Sequence, residues 1–347
     1  MTNTVPKINI HKLAFLTENM EVIQEIENFI EEWNNSKEEI ILKTSGSTGI
    51  PKEIKMKKQF MIESAKMTGE YFNFKENETI VLSLSAKTIG GKMQIIRSLI
   101  HKMNLTVIDN ARNPLKNFNQ TARFISLVPL QVEEIIKENK DKLLLFETIL
   151  IGGAAINPGL ESEIKEIKTN FFESYGMTET LSHVALRKIS NSKSKSFQAL
   201  KGIDFSQEDS CLKINAPKIG VKNLITHDVV ELISNTEFTL KGRKDFVINS
   251  GGYKFHPEIL EEKLTLKFKF PFFILGEKNI EFGEIVTFYV EKTYSAETEK
   301  ELTKIFKTTL EKYEIPKKIY FLQDFEKTDS GKINRLKTQK IHLNSKN

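Results

Sequence analysis

Thr44-Ser45-Gly46-Ser47-Thr48-Gly49-Ile50-Pro51-Lys52 follows the β-rich stretch Ile40-Ile41-Leu42 and puts four hydroxyls, two glycines and a lysine into one turn. Glycine lets backbone N–H groups approach an anion closely, hydroxyls add donors and Lys52 adds a point charge, so the stretch reads as a phosphate cradle at the end of a strand. It is not a Walker loop. Counted from Gly46, that pattern needs Gly where Pro51 stands and Ser or Thr where Glu53 stands. A Ser/Gly/Thr-rich linker would share the composition, so the reading depends on what the rest of the chain carries.

Downstream, short apolar runs at 79–84, 105–108, 124–128, 146–151 and 170–173 alternate with helical stretches such as 92–101 and 129–139. That alternation predicts an α/β fold with a largely parallel sheet, whose ligands sit at the carboxyl ends of the strands. Gly152-Gly153 and Tyr175-Gly176 fall there. From about Cys211 the texture changes to strands with turns, through 224–233 and 237–240, as in a β-rich subdomain. The expected division is a large N-terminal domain over 1–244 and a small α+β domain over 245–347. The small domain should hold a helix from Pro257, a hairpin across 272–291, a helix over 297–313 and a final strand at 318–322. Residues 190–196 read as a polar turn between strands. Ahead of the loop, Val22, Ile26, Phe29, Ile30 and Trp33 recur at helical spacing among glutamates, giving one amphipathic helix expected to pack on the first strand.

Composition narrows the class. A chain of 347 residues, 39% hydrophobic and 28% charged, can bury two cores. The net charge of +5 comes from lysines interleaved with glutamates, a solvated surface rather than a nucleic-acid stripe. One cysteine, Cys211, excludes an intrachain disulfide and any Cys-based zinc site, and the six histidines show no metal spacing. The N-terminus has no apolar signal region and no run approaches the roughly 18 apolar residues of a membrane span, so a cytoplasmic protein is expected.

Six further patterns follow the loop in order: Gly152-Gly153-Ala154-Ala155, Tyr175-Gly176-Met177-Thr178-Glu179-Thr180, Thr226-His227-Asp228, Gly242-Arg243-Lys244-Asp245, Ser250-Gly251-Gly252-Tyr253-Lys254 and Thr328-Asp329-Ser330-Gly331-Lys332-Ile333-Asn334-Arg335. Each is weak alone, but their order is that of the adenylate-forming (acyl-CoA synthetase) superfamily, which the chain resembles from about Ile40 to Arg335. The resemblance implies a large α/β domain and a small mobile one. Only 43 residues precede Thr44 in this sequence, far fewer than in most members, so the usual first subdomain is expected to be absent or reduced. An apolar face left in this way could be covered by a second copy of the chain, as a homo-oligomer.

The implied reaction has two halves: a carboxylate attacks the α-phosphate of ATP and releases pyrophosphate, then the thiol of coenzyme A captures the acyl-adenylate. Charge builds on the transferring phosphorus and its leaving group, so donors, cations and Mg²⁺ are needed. By resemblance, Thr44, Ser45, Ser47, Thr48 and Lys52 hold the β- and γ-phosphates, Thr178 touches the α-phosphate, and Glu179 binds Mg²⁺ as a hard oxygen ligand. Lys332 would reach into the site during adenylation. Gly153 and Ala154 leave a slot for adenine and Tyr175 offers it an aromatic face. Asp228 and Arg243 would bond the ribose, although a buried ion pair between them is the competing reading. Asp245 matches the hinge of the family, and Gly251-Gly252 its pantetheine channel, though two glycines also make a plain hairpin turn.

Gly90-Gly91-Lys92-Met93 with Arg97, the run from Tyr175 through His183 to Arg187, and Val128-Pro129-Leu130-Gln131 resemble the compact o-succinylbenzoate-CoA ligases of menaquinone synthesis. That acid carries an aromatic carboxylate besides the one that reacts, so its pocket needs a fixed cation. Arg97 is the candidate, with His183, Lys87 and Lys92 as helpers. Lys87-Thr88-Ile89-Gly90 departs from the pattern, where an aromatic or histidine and a small residue are expected. Two rivals stay open: another acyl- or aryl-CoA ligase or carrier-protein adenylating enzyme, and a nucleotide-binding relative without catalysis.

Overall fold

The computed structural model describes residues 5–8, 13–43, 53–268, 270–327 and 333–344. Strand β1 (Leu13–Phe15) leads to helix α1 (Met20–Asn34), whose first turn is capped by Asn19 accepting from the Glu21 N–H at 3.0 Å. Val22, Ile26, Phe29, Ile30 and Trp33 are its buried face, as the spacing predicts, and the Trp33 indole N–H donates to the Pro6 carbonyl at 2.9 Å. Asn34 also exchanges bonds with the Ile8 backbone, while Glu25 meets Ser85 and Lys87 ahead of α3 and Glu32 meets Lys92 on it; Leu13 and Phe15 of β1 pack against the same core as the buried face of α1.

Strands β2 (Glu39–Lys43) and β3 (Glu53–Lys57) form a separate antiparallel hairpin in register from Glu39↔Lys57 to Lys43↔Glu53. The phosphate-loop reading, with Thr44, Ser45, Ser47, Thr48 and Lys52, falls on the connection between them and lies outside the described residues. Then come α2 (Lys58–Phe72), β4 (Thr79–Leu82), α3 (Ile89–Ile100), β5 (Asn104–Val107), β6 (Ala122–Leu127), α4 (Pro129–Asn139), β7 (Phe146–Ile151), α5 (Pro158–Lys165) and β8 (Asn170–Met177). Antiparallel strands follow: β9 (Ser182–Lys188), β10 (Ser196–Ala199), β11 (Asp204–Glu208), β12 (Cys211–Ala216), β13 (Val221–Ser234) and β14 (Glu237–Arg243).

All but the hairpin belong to one twelve-stranded sheet among the described residues, in the order β1-β5-β4-β6-β7-β8-β9-β10-β14-β13-β12-β11. It is parallel as far as β8 and antiparallel from β9 onward. The β-rich region therefore continues the parallel sheet instead of forming a body of its own. Strand β8 also runs four residues past the expected 170–173, because its partner β9 returns at once. A bulge at Tyr175-Gly176 brings the strands so close that a Cβ on Gly176 would stand 2.0 Å from the Ser182 carbonyl oxygen. Only glycine fits there.

The rest of the chain builds a second sheet: β15 (Ile248–Ser250), β16 (Tyr253–Phe255), α6 (Pro257–Thr265), β17 (Phe272–Asn279), β18 (Gly283–Glu291), α7 (Ala296–Thr309), β19 (Lys318–Leu322) and α8 (Arg335–Asn344). Val286, Phe288 and Val290 of β18 face the core under α6 and α7, while Tyr289 faces Phe273 and Phe325 on the other side, the two-residue period of a strand covered on both faces. Helix α7 stops short of the expected 313 because Leu310 turns into extended backbone and buries its side chain. Among the described residues no helix is long and apolar enough to cross a membrane.

Candidate active site

Of the expected site residues, Gly153 and Ala154 follow β7, Tyr175 lies near the end of β8 with Thr178 and Glu179 just after it, and Asp228 and Arg243 pair across β13 and β14. The segment after β7 is tied at both ends: the Gly152 N–H donates to the Leu127 carbonyl at 3.0 Å, and the Ile156 N–H to Glu173 Oε1 at 3.1 Å. Between these anchors Gly153 and Ala154 are exposed. Glu173 is buried and holds Arg187 at 2.8 Å, which reaches Glu161 of α5 at 2.8 Å. Sequence reasoning missed this triad, whose signal was a glutamate inside the apolar run Phe171-Phe172-Glu173.

Tyr175 is buried, and its hydroxyl donates to Asp228 Oδ2 at 2.6 Å. Burial and the negative charge of Asp228 raise its pKa well above the ordinary tyrosine value. Its ring meets Phe238 edge-on with centroids 5.1 Å apart. Asp228 and Arg243 are cross-strand neighbours, and Arg243 donates to Asp228 Oδ1 at 3.2 Å and to Asp245 Oδ2 at 2.6 Å. His227 Nδ1 lies 2.7 Å from the other oxygen of Asp245. The ion pair weighed against ribose binding is therefore present, and each Asp228 oxygen keeps a lone pair for a hydroxyl. Thr178 and Glu179 are half-buried in the short turn after β8. No group of three or more His, Cys, Asp or Glu side chains among the described residues could hold a metal, so Glu179 fits only an ion that takes most of its ligands from phosphate and water, as Mg²⁺ does.

Lys332 lies outside the described residues, but its flanks are fixed. Lys327 pairs with Ile333, the Asn334 N–H donates to the Glu326 carbonyl at 2.7 Å, and Arg335 bonds Glu261 at 2.7 Å while its guanidinium stands 5.4 Å over the Phe246 ring. Asp245 and Phe246 belong to the turn that joins the two sheets, and Gly251-Gly252 is the turn between β15 and β16.

Arg97 is the least ordinary residue of the group. It is 1% exposed on α3 yet pairs with no carboxylate among the described residues. Its Nη2 donates to Ser182 Oγ at 3.0 Å, its Nη1 lies 3.5 Å from Gln94 Oε1, and its Nε has no partner. Thr68 gives its hydroxyl proton to the Ser64 carbonyl, so the His183 Nε2 only 3.0 Å away must be the donor to Thr68. That tautomer leaves His183 Nδ1 as a lone pair 3.4 Å from Arg97 Nη2. Burial, then the charge of Arg97, holds the His183 pKa well below 6.5, and burial alone pulls Arg97 down to about 9. Among the described residues every hydrogen-bond partner of the cation is neutral. Arg97 is no surface residue of α3.

Lys87 and Lys92, expected beside it, are engaged elsewhere. Lys87 bonds Glu21 and Glu25, each at 2.9 Å, and Lys92 bonds Glu32 at 3.1 Å with its ammonium 4.2 Å from the Phe29 centroid. Both lysines face α1, which explains the departure at Lys87. Gln94, Ser126, Thr68 and Ser182 were missed; Gln94 and Arg97, three apart on α3 among Ile95, Ile96 and Leu99, were the available signal.

Comparison with known proteins follows the same lines. A crystal structure of an acyl-CoA synthetase (AMP-forming)/AMP-acid ligase II-like protein from Dyadobacter fermentans is 30% identical, with 94% of this chain and 95% of that one covered at a TM-score of 0.61. The O-succinylbenzoate coenzyme A synthetase of Bacillus subtilis, solved with ATP and a magnesium ion, shares the fold at a TM-score of 0.75 and 22% identity, over 89% of this chain and 74% of that one. A 2-succinylbenzoate–CoA ligase of Haemophilus influenzae is 26% identical over 282 residues, which span 76% of this chain and 61% of the relative's length. The same-named protein of Staphylococcus epidermidis is 24% identical over 88% of this chain and 70% of its own. The family model described as AMP-binding enzyme matches residues 13–202, more than half of the sequence, and the chain belongs to that family.

Proposed function

We propose that the protein is an AMP-forming ligase that adenylates the succinyl carboxylate of o-succinylbenzoate with ATP and passes the acyl group to coenzyme A, a step of menaquinone synthesis. The observation that carries the substrate is Arg97, a buried cation whose hydrogen-bond partners among the described residues are neutral, with an unused Nε donor. A buried charge is normally paired, so a site that leaves one unpaired is built to receive an anion. The aromatic carboxylate would take that place, while the succinyl carboxylate reaches the nucleotide. The names of the relatives support the same acid.

In this reading adenine lies at Gly153 and Ala154 beside Tyr175, and ribose hydroxyls bond Asp228 and Arg243. Mg²⁺, held by Glu179 and the phosphates, would neutralise charge on the triphosphate. Thr178, the 44–52 loop and Lys332 stabilise the negative charge that grows as pyrophosphate leaves. We place the domain division between Lys244 and Asp245, with Asp245 as the hinge and Gly251-Gly252 beside the incoming thiol. The two cores on either side of that turn support it.

The test is pyrophosphate release by the purified protein with ATP, Mg²⁺, coenzyme A and either o-succinylbenzoate, benzoate, a fatty acid or no acid. Release with o-succinylbenzoate alone, together with its thioester, is expected. Release with a monocarboxylic acid instead overturns the substrate, and silence with every acid overturns the ligase reading.

A further inference from the structure

The N-terminal segment passes the carboxyl end of β5, beside the strand β4 that leads to α3. Beyond β1 the Leu16 N–H donates to the Val107 carbonyl at 2.8 Å, and the Thr17 hydroxyl bonds Asp109, both just past or at the carboxyl end of β5. Helix α1 then reaches the segment after β4. Glu25 is the contact: its side chain is only 8% exposed, Oε2 accepts from Ser85 Oγ at 2.5 Å, and Oε1 takes Lys87 Nζ at 2.9 Å.

From Ser85 a set of bonds leads to the start of α3, and the helix itself carries on to Arg97. The Ser85 carbonyl accepts from the Thr88 N–H at 3.0 Å and the Thr88 hydroxyl at 2.8 Å, and Thr88 caps α3 by accepting from the Gly91 N–H at 3.2 Å. The loop lies so close to the helix that a Cβ on Gly91 would stand 2.2 Å from the Ser85 carbonyl oxygen. One turn on, Gln94 donates to the Val81 carbonyl at 3.1 Å, and its Oε1 faces both Ser126 and Arg97. Lys92, bonded to α1, is two positions from Gln94 and five from Arg97, so at 100° per residue α1 and the Arg97 pocket lie on different faces of α3. Helix α3 is held between them.

We infer that Glu25 is a positioning residue for the acyl site: through Ser85 and Lys87 it fixes the start of α3 and hence the place of Arg97, a support that comes from helix α1. The inference rests on the reading of Arg97 as the anchor of the second carboxylate. Glu25 itself touches no substrate. Its effect should appear in how well the acid is held, not in how ATP is held.

The experiment compares the full chain with Glu25→Ala, which loses both contacts, Glu25→Gln, which keeps an acceptor for Ser85, and Ser85→Ala. Losing a buried bond of this kind is expected to raise KM for o-succinylbenzoate about tenfold in Glu25→Ala, with a smaller rise in Glu25→Gln and Ser85→Ala and KM for ATP unchanged. Amide exchange across residues 83–101, measured without substrates, should quicken in Glu25→Ala alongside unchanged rates in the second sheet. An unchanged KM for the acid, or equal rises for acid and ATP, overturns the inference. If the unaltered protein does not use o-succinylbenzoate, the substrate reading fails, and the exchange data decide: quicker exchange at 83–101 supports the support role, and unchanged exchange ends it. Should Glu25→Ala not fold, Glu25→Gln and Ser85→Ala carry the same comparison.

Discussion

Arg97→Met is expected to make the protein more stable and less active at once. Methionine keeps an unbranched apolar stem, shorter than that of arginine, but removes the charge. In the free protein that charge is 1% exposed, has no carboxylate partner, and is pulled by burial to about 9. Apolar replacement of buried charges is often neutral or stabilising by about 1–4 kcal/mol, and a cation without a partner belongs at the favourable end of that range. With substrate bound the sign reverses, because the aromatic carboxylate would be left buried and unpaired. Truncating one partner of a buried charge pair costs about 2–5 kcal/mol, and at about 1.4 kcal/mol per decade kcat/KM should fall roughly 30- to 3,000-fold. Urea unfolding and thioester formation, measured on the same preparations, give both numbers. A variant that is clearly destabilised, or one that keeps its activity with o-succinylbenzoate, refutes the reasoning: the first would mean that Arg97 is a structural residue, the second that no anion meets it.

Three other outcomes are expected. His183 is held neutral in the fold, with its pKa well below 6.5, so the unfolded chain takes up the proton first as pH drops; the stability it contributes is present above about pH 6.5 and is lost below. His183→Gln, which can still donate to Thr68 and accept from Arg97, should therefore lose less stability than the unaltered protein between pH 7 and pH 5 in urea titrations, and an equal loss counts against the neutral tautomer. Asp228→Asn removes the charge shared by Tyr175 and Arg243 and should raise KM for ATP about tenfold while KM for the acid stays within twofold, as read from initial rates. Lys332→Ala should lower adenylation, followed by ATP–pyrophosphate exchange, by about 10²–10³-fold, yet leave thioester formation from supplied acyl-adenylate nearly intact; equal losses in both halves would remove its assigned role.

Much of the fold can be read from apolar periodicity. The stripe Val22, Ile26, Phe29, Ile30 and Trp33 is the buried face of α1, and the runs around 79, 105, 124 and 146 are the strands expected of them. Boundaries failed where glycine or tight pairing intervened. Helix α3 begins at Ile89, ahead of the expected 92, since the Thr88 cap outweighs the low helix propensity of Gly90 and Gly91. Strand β8 carries on through the Tyr175-Gly176 bulge because its neighbour returns directly. At the site, residue types were legible and partners were not. Lys87 and Lys92 carry the right charge for an anion, but glutamates some sixty residues away claim them, a pairing set by how α1 lies on α3. Arg97 gave the opposite lesson: nothing in its neighbours along the chain shows that it would be buried among neutral acceptors, since Ser182 and His183 come from a strand more than eighty residues on.

The β2–β3 hairpin stands apart from the large sheet, with Ile40 and Leu42 turned into the core and Ile41 turned out to water. Pairing from Glu39↔Lys57 to Lys43↔Glu53 fixes its two arms independently of what joins them. Insertions or deletions in the connection leave that register alone, whereas one residue added within β2 would turn Ile40 and Leu42 to solvent. On the proposed reading of the connection as a phosphate cradle, selection can thus remodel the grip on a triphosphate by editing a single connection, without renegotiating the hydrophobic interior, and the same separation offers an engineer a place to change nucleotide preference first.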